Sequence, residues 1–226
     1  MTSVPAAVLW DMDGTLVDTE PAWIAAEGEL VKVHGRGHWG KEDGLLLVGQ
    51  ALPRVAEILQ ERGEVRLSIA EILEYIISRV EAALKESVPW LPGAYEILTE
   101  LAQAGIPCAL VTMSYRRLAN QVVPHAPNGA FKAVVTGDEV EAGKPDPEPY
   151  VRAAQALGLD PAACVAVEDS LPGVASAEAS GARVLAVQHF VEIAASPTRS
   201  RTDSLERISL ADLQRIARGE VIDHLA

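Results

Sequence analysis

Five short apolar runs in this chain read as strands, and none of them alternates: residues 6–10, 107–111, 133–136, 164–167 and 184–187. A strand that is apolar on both faces has to be covered on both faces, which describes a parallel sheet held between layers of helices. From residue 94 onward the segments between the runs carry helical spacing, at 94–104, 117–123, 147–157 and 173–180, with a last helix at 210–218. Strand and helix alternate, so the expected fold is α/β, a doubly wound parallel sheet of Rossmann-like form. Residues 196–204 are polar and read as a surface loop before the last helix.

The alternation is interrupted once. Between about Pro21 and Ser87 no strand run occurs. Ile24, Leu30 and Val31 fit one helix, residues 55–59 a second and residues 69–84 a third, while the glycine-rich stretch 34–49 reads as a loop. The expected division is therefore a core of residues 1–17 and 89–226 with an inserted α-helical domain at 18–88. A chain of 226 residues, 49% of them apolar, can bury a core and a smaller insertion.

Composition narrows the surroundings. No apolar run approaches the ~18 residues of a membrane span, and the N-terminus has neither the basic region nor the long apolar stretch of a signal peptide. Cys108 and Cys164 lie in strand runs, as buried reduced thiols would, so a cytoplasmic protein is expected. Nineteen basic against 32 acidic residues leave a net charge of −13, which argues against nucleic acid or an anionic membrane as partner. A monomer or weak homodimer is expected. An anionic ligand would need local cations, from a metal or a lysine, to reverse the field.

Ligands of open α/β sheets bind beyond the carboxyl ends of the strands, and here those ends hold acids and hydroxyls: 11–15, 112–114, 136–138 and Glu168-Asp169. Asp11 and Asp13, two apart at the end of a buried strand, cannot share a dry pocket unless a cation or proton offsets their repulsion. Aspartate also caps strand ends and forms turns, but matching acids at a second strand end favour a site. Asp169 with Glu168 adds hard oxygen donors without a histidine or cysteine cluster, a set that suits Mg²⁺ rather than Zn²⁺. Thr112 and Ser114 can donate to phosphate oxygens, although Ser114 can equally be a helix cap. Lys144 sits in a loop stiffened by Gly143, Pro145 and Pro147, where it can act as a point charge against phosphoryl oxygens or remain a surface cation.

Asp11-Met12-Asp13-Gly14-Thr15, Val111-Thr112-Met113-Ser114, Gly143-Lys144-Pro145 and Val167-Glu168-Asp169-Ser170 resemble, in order and in strand-end context, the four motifs of the haloacid dehalogenase (HAD) superfamily. The insertion resembles the helical cap of its β-phosphoglucomutase-like branch. Asp18-Thr19-Glu20-Pro21-Ala22-Trp23 and Leu91-Pro92-Gly93 look like the hexose- and hexitol-phosphate phosphatases of that branch. The resemblance implies that Asp11 is the nucleophile forming an aspartyl-phosphate. Asp13 is implied as general acid and then base, Thr112 as a phosphoryl ligand and Lys144 as the neutralising cation. Mg²⁺ would be held by Asp11, Asp169 and the backbone carbonyl of Asp13, with Glu168 assisting. The implied activity is hydrolysis of a small phosphorylated metabolite such as a sugar or sugar-alcohol phosphate. Met113 stands where many relatives have asparagine, which puts one local hydrogen bond in doubt.

Other readings stay open at this point. A phosphosugar mutase would keep the aspartyl-phosphate, but Trp23 occupies the approximate place of the cap histidine that resemblance to mutases implies, and Arg54 falls late for the distal phosphate. Dehalogenases and phosphonate hydrolases are expected to lack an acid at position 13. A non-catalytic binding module would be expected to lose Asp11, Asp13 or Lys144. Trp23 and Arg54 are candidate substrate-binding residues on the cap, as are Trp39 and the loop around Gly49. Arg36, Lys41 and Arg79 could counter a second anionic group or be solvated. Tyr115, Arg116 and Arg117 could line the entrance or face solvent, and His34 with His38 reads as part of a polar loop. Hinges are expected near residues 17–20 and 88–92, where the chain crosses between core and insertion.

Overall fold

The computed structural model describes residues 5–226. Six parallel strands, β1 (Ala7–Trp10), β2 (Cys108–Val111), β3 (Phe131–Val135), β4 (Cys164–Glu168), β5 (Arg183–Val187) and β6 (Arg199–Thr202), form one sheet in the order β3-β2-β1-β4-β5-β6. The order reverses at β1, whose Leu9 lies opposite Ala109 on one side and Ala166 on the other. The carboxyl ends of β1, β2 and β4 therefore meet at the switch point of the sheet, where a crevice opens.

Both faces are covered, as the non-alternating strands require. On one face Val8, Trp10, Leu110, Val165 and Val167 pack under α5 (Ala94–Gln103), α6 (Arg116–Val122) and α9 (Leu210–Ala217). On the other, Leu9, Ala109, Val111 and Ala166 meet α7 (Glu148–Ala156) and α8 (Leu171–Ser180). Cys108 and Cys164 are buried and unpaired. Among the described residues no helix is long and apolar enough to cross a membrane.

Two expectations are corrected. The polar stretch 196–204 is not simply a loop: Arg199–Thr202 is β6, paired in parallel with β5. It carries no apolar signal because its inward Ser200 and Thr202 are satisfied by hydrogen bonds, with Ser200 Oγ accepting from the Ile222 N–H and Thr202 Oγ1 donating to the Ser204 carbonyl. Its outward Arg199 and Arg201 pair with Glu178 and Asp223, charges that suit an edge strand. The glycine-rich stretch 34–49 contains a short helix, α2 (Lys41–Leu45), started by the Asp43 carboxylate accepting from the Gly40 N–H at 3.0 Å.

The rest of the insertion is as expected: α1 (Glu20–His34), α3 (Leu52–Arg62) and α4 (Ile69–Glu86). The longest, α4, is started by a reciprocal Ser68–Glu71 capping box and buries Ile72, Leu73, Ile76, Ile77, Val80 and Leu84 on one stripe. That stripe packs against Leu30 and Val31 of α1 and Ala56 and Leu59 of α3. The chain enters and leaves the insertion side by side: the Asp18 N–H donates to the Pro89 carbonyl at 2.8 Å and the Leu91 N–H to the Leu16 carbonyl at 2.9 Å.

Candidate active site

The acids at the strand ends converge. β1 runs into a tight turn in which Gly14 adopts φ +79°, and a Cβ there would lie 2.1 Å from Asp169 Oδ2, so only glycine admits the Asp169 carboxylate. Asp169 is almost fully buried; its Oδ1 accepts from Thr15 Oγ1 at 3.2 Å, and its Oδ2 has no hydrogen-bond partner. Carboxylate oxygens of Asp11, Glu168 and Asp169 lie within 4.8 Å of one another. Burial pushes Asp11 up to about 8, with the charge of Lys144 pulling the other way, and burial likewise raises Asp169 well above the ordinary carboxylate range. A buried set of hard oxygens with one unpartnered oxygen fits a divalent cation of the Mg²⁺ type.

Lys144 is the cation at the centre. Its Nζ donates to Asp11 Oδ1 at 2.6 Å and to the Val111 carbonyl at 3.0 Å, and lies 2.5 Å from Glu168 Oε1. Burial opposes its charge, but the carboxylates of Asp11 and Glu168 outweigh that and hold its pKa above the ordinary lysine value. Glu168 is placed differently from a metal ligand. Oε1 also accepts from Tyr150 Oη at 2.7 Å, and Oε2 takes the N–H groups of Asp169 and Ser170 and the Ser170 hydroxyl. Its lone pairs are engaged with the protein, so it anchors Lys144 instead.

Asp13 stands apart from the acid cluster. Oδ1 accepts from Thr19 Oγ1 at 2.5 Å and Trp23 Nε1 at 3.4 Å, and Oδ2 from Thr112 Oγ1 at 3.1 Å and Ser114 Oγ at 2.8 Å. Two hydroxyls from the end of β2, the Thr19 hydroxyl at the start of α1 and an indole from α1 thus orient one carboxylate at the mouth of the crevice. Met113 makes a hydrogen bond of its own: its sulfur accepts from the Lys144 N–H at 3.3 Å.

The insertion roofs this site. Asp11, Asp13, Thr112, Ser114, Lys144 and Asp169 line the floor of a cavity of about 50 Å³ whose roof includes Trp23 and Gly49. Gly49, at φ +74°, leans on the core: a Cβ there would lie 2.4 Å from Ser170 Oγ. Arg54 does not line the cavity. It is half exposed on α3 and paired with Glu57 and Glu61, a solvated helix charge of the ordinary kind. Arg79 bonds Glu29 and lies over Tyr75, while Arg116 and Arg117 pair with Glu139 and with Glu74 and Glu81.

Sequence reasoning missed two cavity residues. Glu20 and Glu27 of α1 are buried and line the roof with Trp23. Burial and the charges of Asp13 and Asp11 push Glu20 up to about 8, and burial raises Glu27 well above the usual range. The available signal was spacing, since positions 20, 23 and 27 share one helix face with the candidate Trp23.

Residues 8–187 match the family model described as haloacid dehalogenase-like hydrolase. The chain is 36% identical over 181 residues to hexitol phosphatase A of Escherichia coli K12, covering 79% of this chain and 81% of that one. It is 35% identical over 189 residues to protein CbbY of Rhodobacter capsulatus, covering 79% and 83%. The crystal structure of CbbY from Rhodobacter sphaeroides in complex with phosphate superposes with a TM-score of 0.80 at 28% identity, covering 92% of this chain and 98% of that one. With its parallel sheet, its strand-end acids and these relatives, the chain belongs to the haloacid dehalogenase-like hydrolases.

Proposed function

We propose that this chain is a Mg²⁺-dependent phosphatase of a sugar or sugar-alcohol phosphate, working through a phosphorylated Asp11, with residues 18–88 as a mobile cap. The observation that carries this reading is the convergence of Asp11, Asp13, Thr112 and Lys144 on one cavity beside the unpartnered Oδ2 of Asp169.

The Asp11 carboxylate attacks phosphorus and the ester P–O bond breaks, splitting a hard hydrolysis into two easier steps. Asp13 gives its proton to the departing alkoxide. It then takes a proton from the water that cleaves the aspartyl-phosphate and releases inorganic phosphate, a role that typically contributes about 10²–10⁴-fold. Lys144, held by Glu168, neutralises the phosphoryl oxygens, and Thr112 and Ser114 donate to them. Asp11, Asp169 and the Asp13 carbonyl would hold Mg²⁺, which supplies further charge stabilisation for in-line transfer. Opening of the cap at residues 17–20 and 88–92 would widen the cavity of about 50 Å³ for a sugar phosphate to enter, and closure would shield the reaction from bulk water. The exclusion of Arg54 from the cavity favours hydrolysis over a mutase cycle, which needs a grip on a second phosphate.

The test is phosphate release from a panel of phosphorylated metabolites with Mg²⁺, with EDTA, and with Asp11→Asn. Metal-dependent release that disappears in folded Asp11→Asn supports the reading. Activity retained by Asp11→Asn refutes the nucleophile, and conversion of β-glucose 1-phosphate to glucose 6-phosphate without release makes the chain a mutase.

A further inference from the structure

The roof of the cavity carries its own chemistry. Within the described residues lining it, the only cation is Lys144, on the floor and already shared between Asp11 and Glu168. The roof instead presents Glu20, Trp23, Glu27 and Gln50 among Leu47, Leu52 and Val55. Glu20 and Glu27 are 6% and 3% exposed, and among the described residues neither has a salt-bridge partner, although buried glutamates are ordinarily paired. Glu27, which lines the cavity, has its Oε2 buried with no hydrogen-bond partner among the described residues, an acceptor left unsatisfied in the unliganded fold.

We propose that Glu20 and Glu27 form a subsite for the hydroxyl groups of the leaving alcohol, selecting polyol monophosphates and rejecting sugars that carry a second phosphate. This rests on the phosphatase reading above. The two carboxyl groups lie on one face of α1, seven residues or two turns apart, on either side of Trp23. When the transferring phosphoryl group lies on the floor against Lys144, the rest of the substrate must lie against this face. Hydroxyls on adjacent carbons offer donors and acceptors to two carboxyl groups and an amide, and the Trp23 ring covers the C–H surface between them. A second phosphate would be desolvated against two buried carboxyl groups and aliphatic side chains, with no cation among the described roof residues to offset its charge, a cost that acts as a built-in exclusion. The selectivity thus comes from the absence of roof cations as much as from the acids.

The experiment compares kcat/KM of the Mg²⁺-loaded protein for fructose 6-phosphate, mannitol 1-phosphate, phenyl phosphate and fructose 1,6-bisphosphate, in wild type, Glu20→Leu, Glu27→Leu and Glu27→Lys. Thermal unfolding of each variant establishes that it is folded. Leaving a buried hydroxyl without its hydrogen-bond partner costs a factor of about ten. The ratio of polyol phosphate to phenyl phosphate is therefore expected to fall about tenfold in Glu27→Leu and in Glu20→Leu, mainly through KM. The preference for fructose 6-phosphate over the bisphosphate should shrink tenfold or more in Glu27→Lys. Wild type that hydrolyses the bisphosphate as well as the monophosphate, or folded Leu variants with unchanged ratios, would overturn this subsite while leaving the phosphatase reading intact. Wild type that hydrolyses none of the four esters, phenyl phosphate included, would overturn the phosphatase reading and the subsite with it.

Discussion

Gly49→Ala separates the cap's role in turnover from its role in stability. Gly49 lies in the loop between α2 and α3 at φ +74°, and a Cβ there would meet Ser170 Cβ at 2.5 Å and Ser170 Oγ at 2.4 Å. Carbon–carbon contact is optimal at about 3.5–4.0 Å, so the loop has to retreat from the core by roughly 1 Å. Ser170 cannot yield easily, because its hydroxyl donates to Glu168 and accepts from the Gly173 N–H that opens α8. A misplacement of about 1 Å at a site of this kind costs up to about 10²-fold in rate. The left-handed backbone adds about 1–2 kcal/mol of strain for a non-glycine residue. Gly158 supplies the control: its φ is +71°, and nothing lies within 4 Å of a Cβ built there. Both alanine variants should therefore lose about 1–2 kcal/mol, or a melting-point drop of roughly 2–8 °C for a chain of this size. Only Gly49→Ala should lose activity, by about 10- to 100-fold in kcat/KM on the best phosphate ester. Equal activities in two equally destabilised variants would refute the argument that the loop must seat on Ser170 during turnover.

Two further outcomes are expected. Glu27 keeps its proton in the folded state above its ordinary value of 4.5, while the unfolded chain releases it. Its contribution to stability is therefore present below 4.5 and is lost as pH rises, at up to about 1.4 kcal/mol per pH unit. In urea unfolding with EDTA, the stability of Glu27→Gln relative to wild type should climb between pH 5 and pH 8; a pH-independent difference would mean that Glu27 ionises normally. Arg117 joins α6 to Glu74 and Glu81 of α4 in half-exposed ion pairs, so Arg117→Ala should cost no more than about 1 kcal/mol and less in 1 M NaCl. A salt-insensitive loss of 3 kcal/mol or more would place that contact in the core instead.

The legible parts of the fold were those in which burial and backbone order coincide. Strands β1, β2, β4 and β5 are apolar because they are covered on both faces, and the acids that follow them fall at the crevice because parallel strands all end on one side. β6 was illegible because an edge strand needs backbone pairing on one side only, and Ser200 and Thr202 satisfy themselves locally. Arg54 was misplaced because an arginine at a helix start reads the same whether it faces a cavity or, as here, Glu57 and Glu61. Glu20 and Glu27 were hidden for the converse reason. A charged residue on an amphipathic helix reads as solvated, and only the roofing of α1 over the strand ends brings this pair inside.

The carboxyl groups of the site are chemically alike, and what separates their roles is how completely the protein already satisfies them. Glu168 accepts from Lys144, Tyr150 and the Asp169–Ser170 backbone, which leaves it no capacity for a ligand and makes it a fixed counter-charge. Asp13 accepts from three hydroxyls and an indole, weaker and rotatable donors that a phosphoryl group can take over, so it is held ready but exchangeable. Asp169 Oδ2 and Glu27 Oε2 are buried with no donor at all. Burying an acceptor without a partner costs about 1–3 kcal/mol, a cost that a ligand reaching either atom relieves. Asp169, in the core among acids and beside Lys144, suits a cation. Glu27, in the roof among an amide, an indole and aliphatic side chains, suits hydroxyl donors. The same unsatisfied oxygen thus points to two different ligands because its surroundings differ.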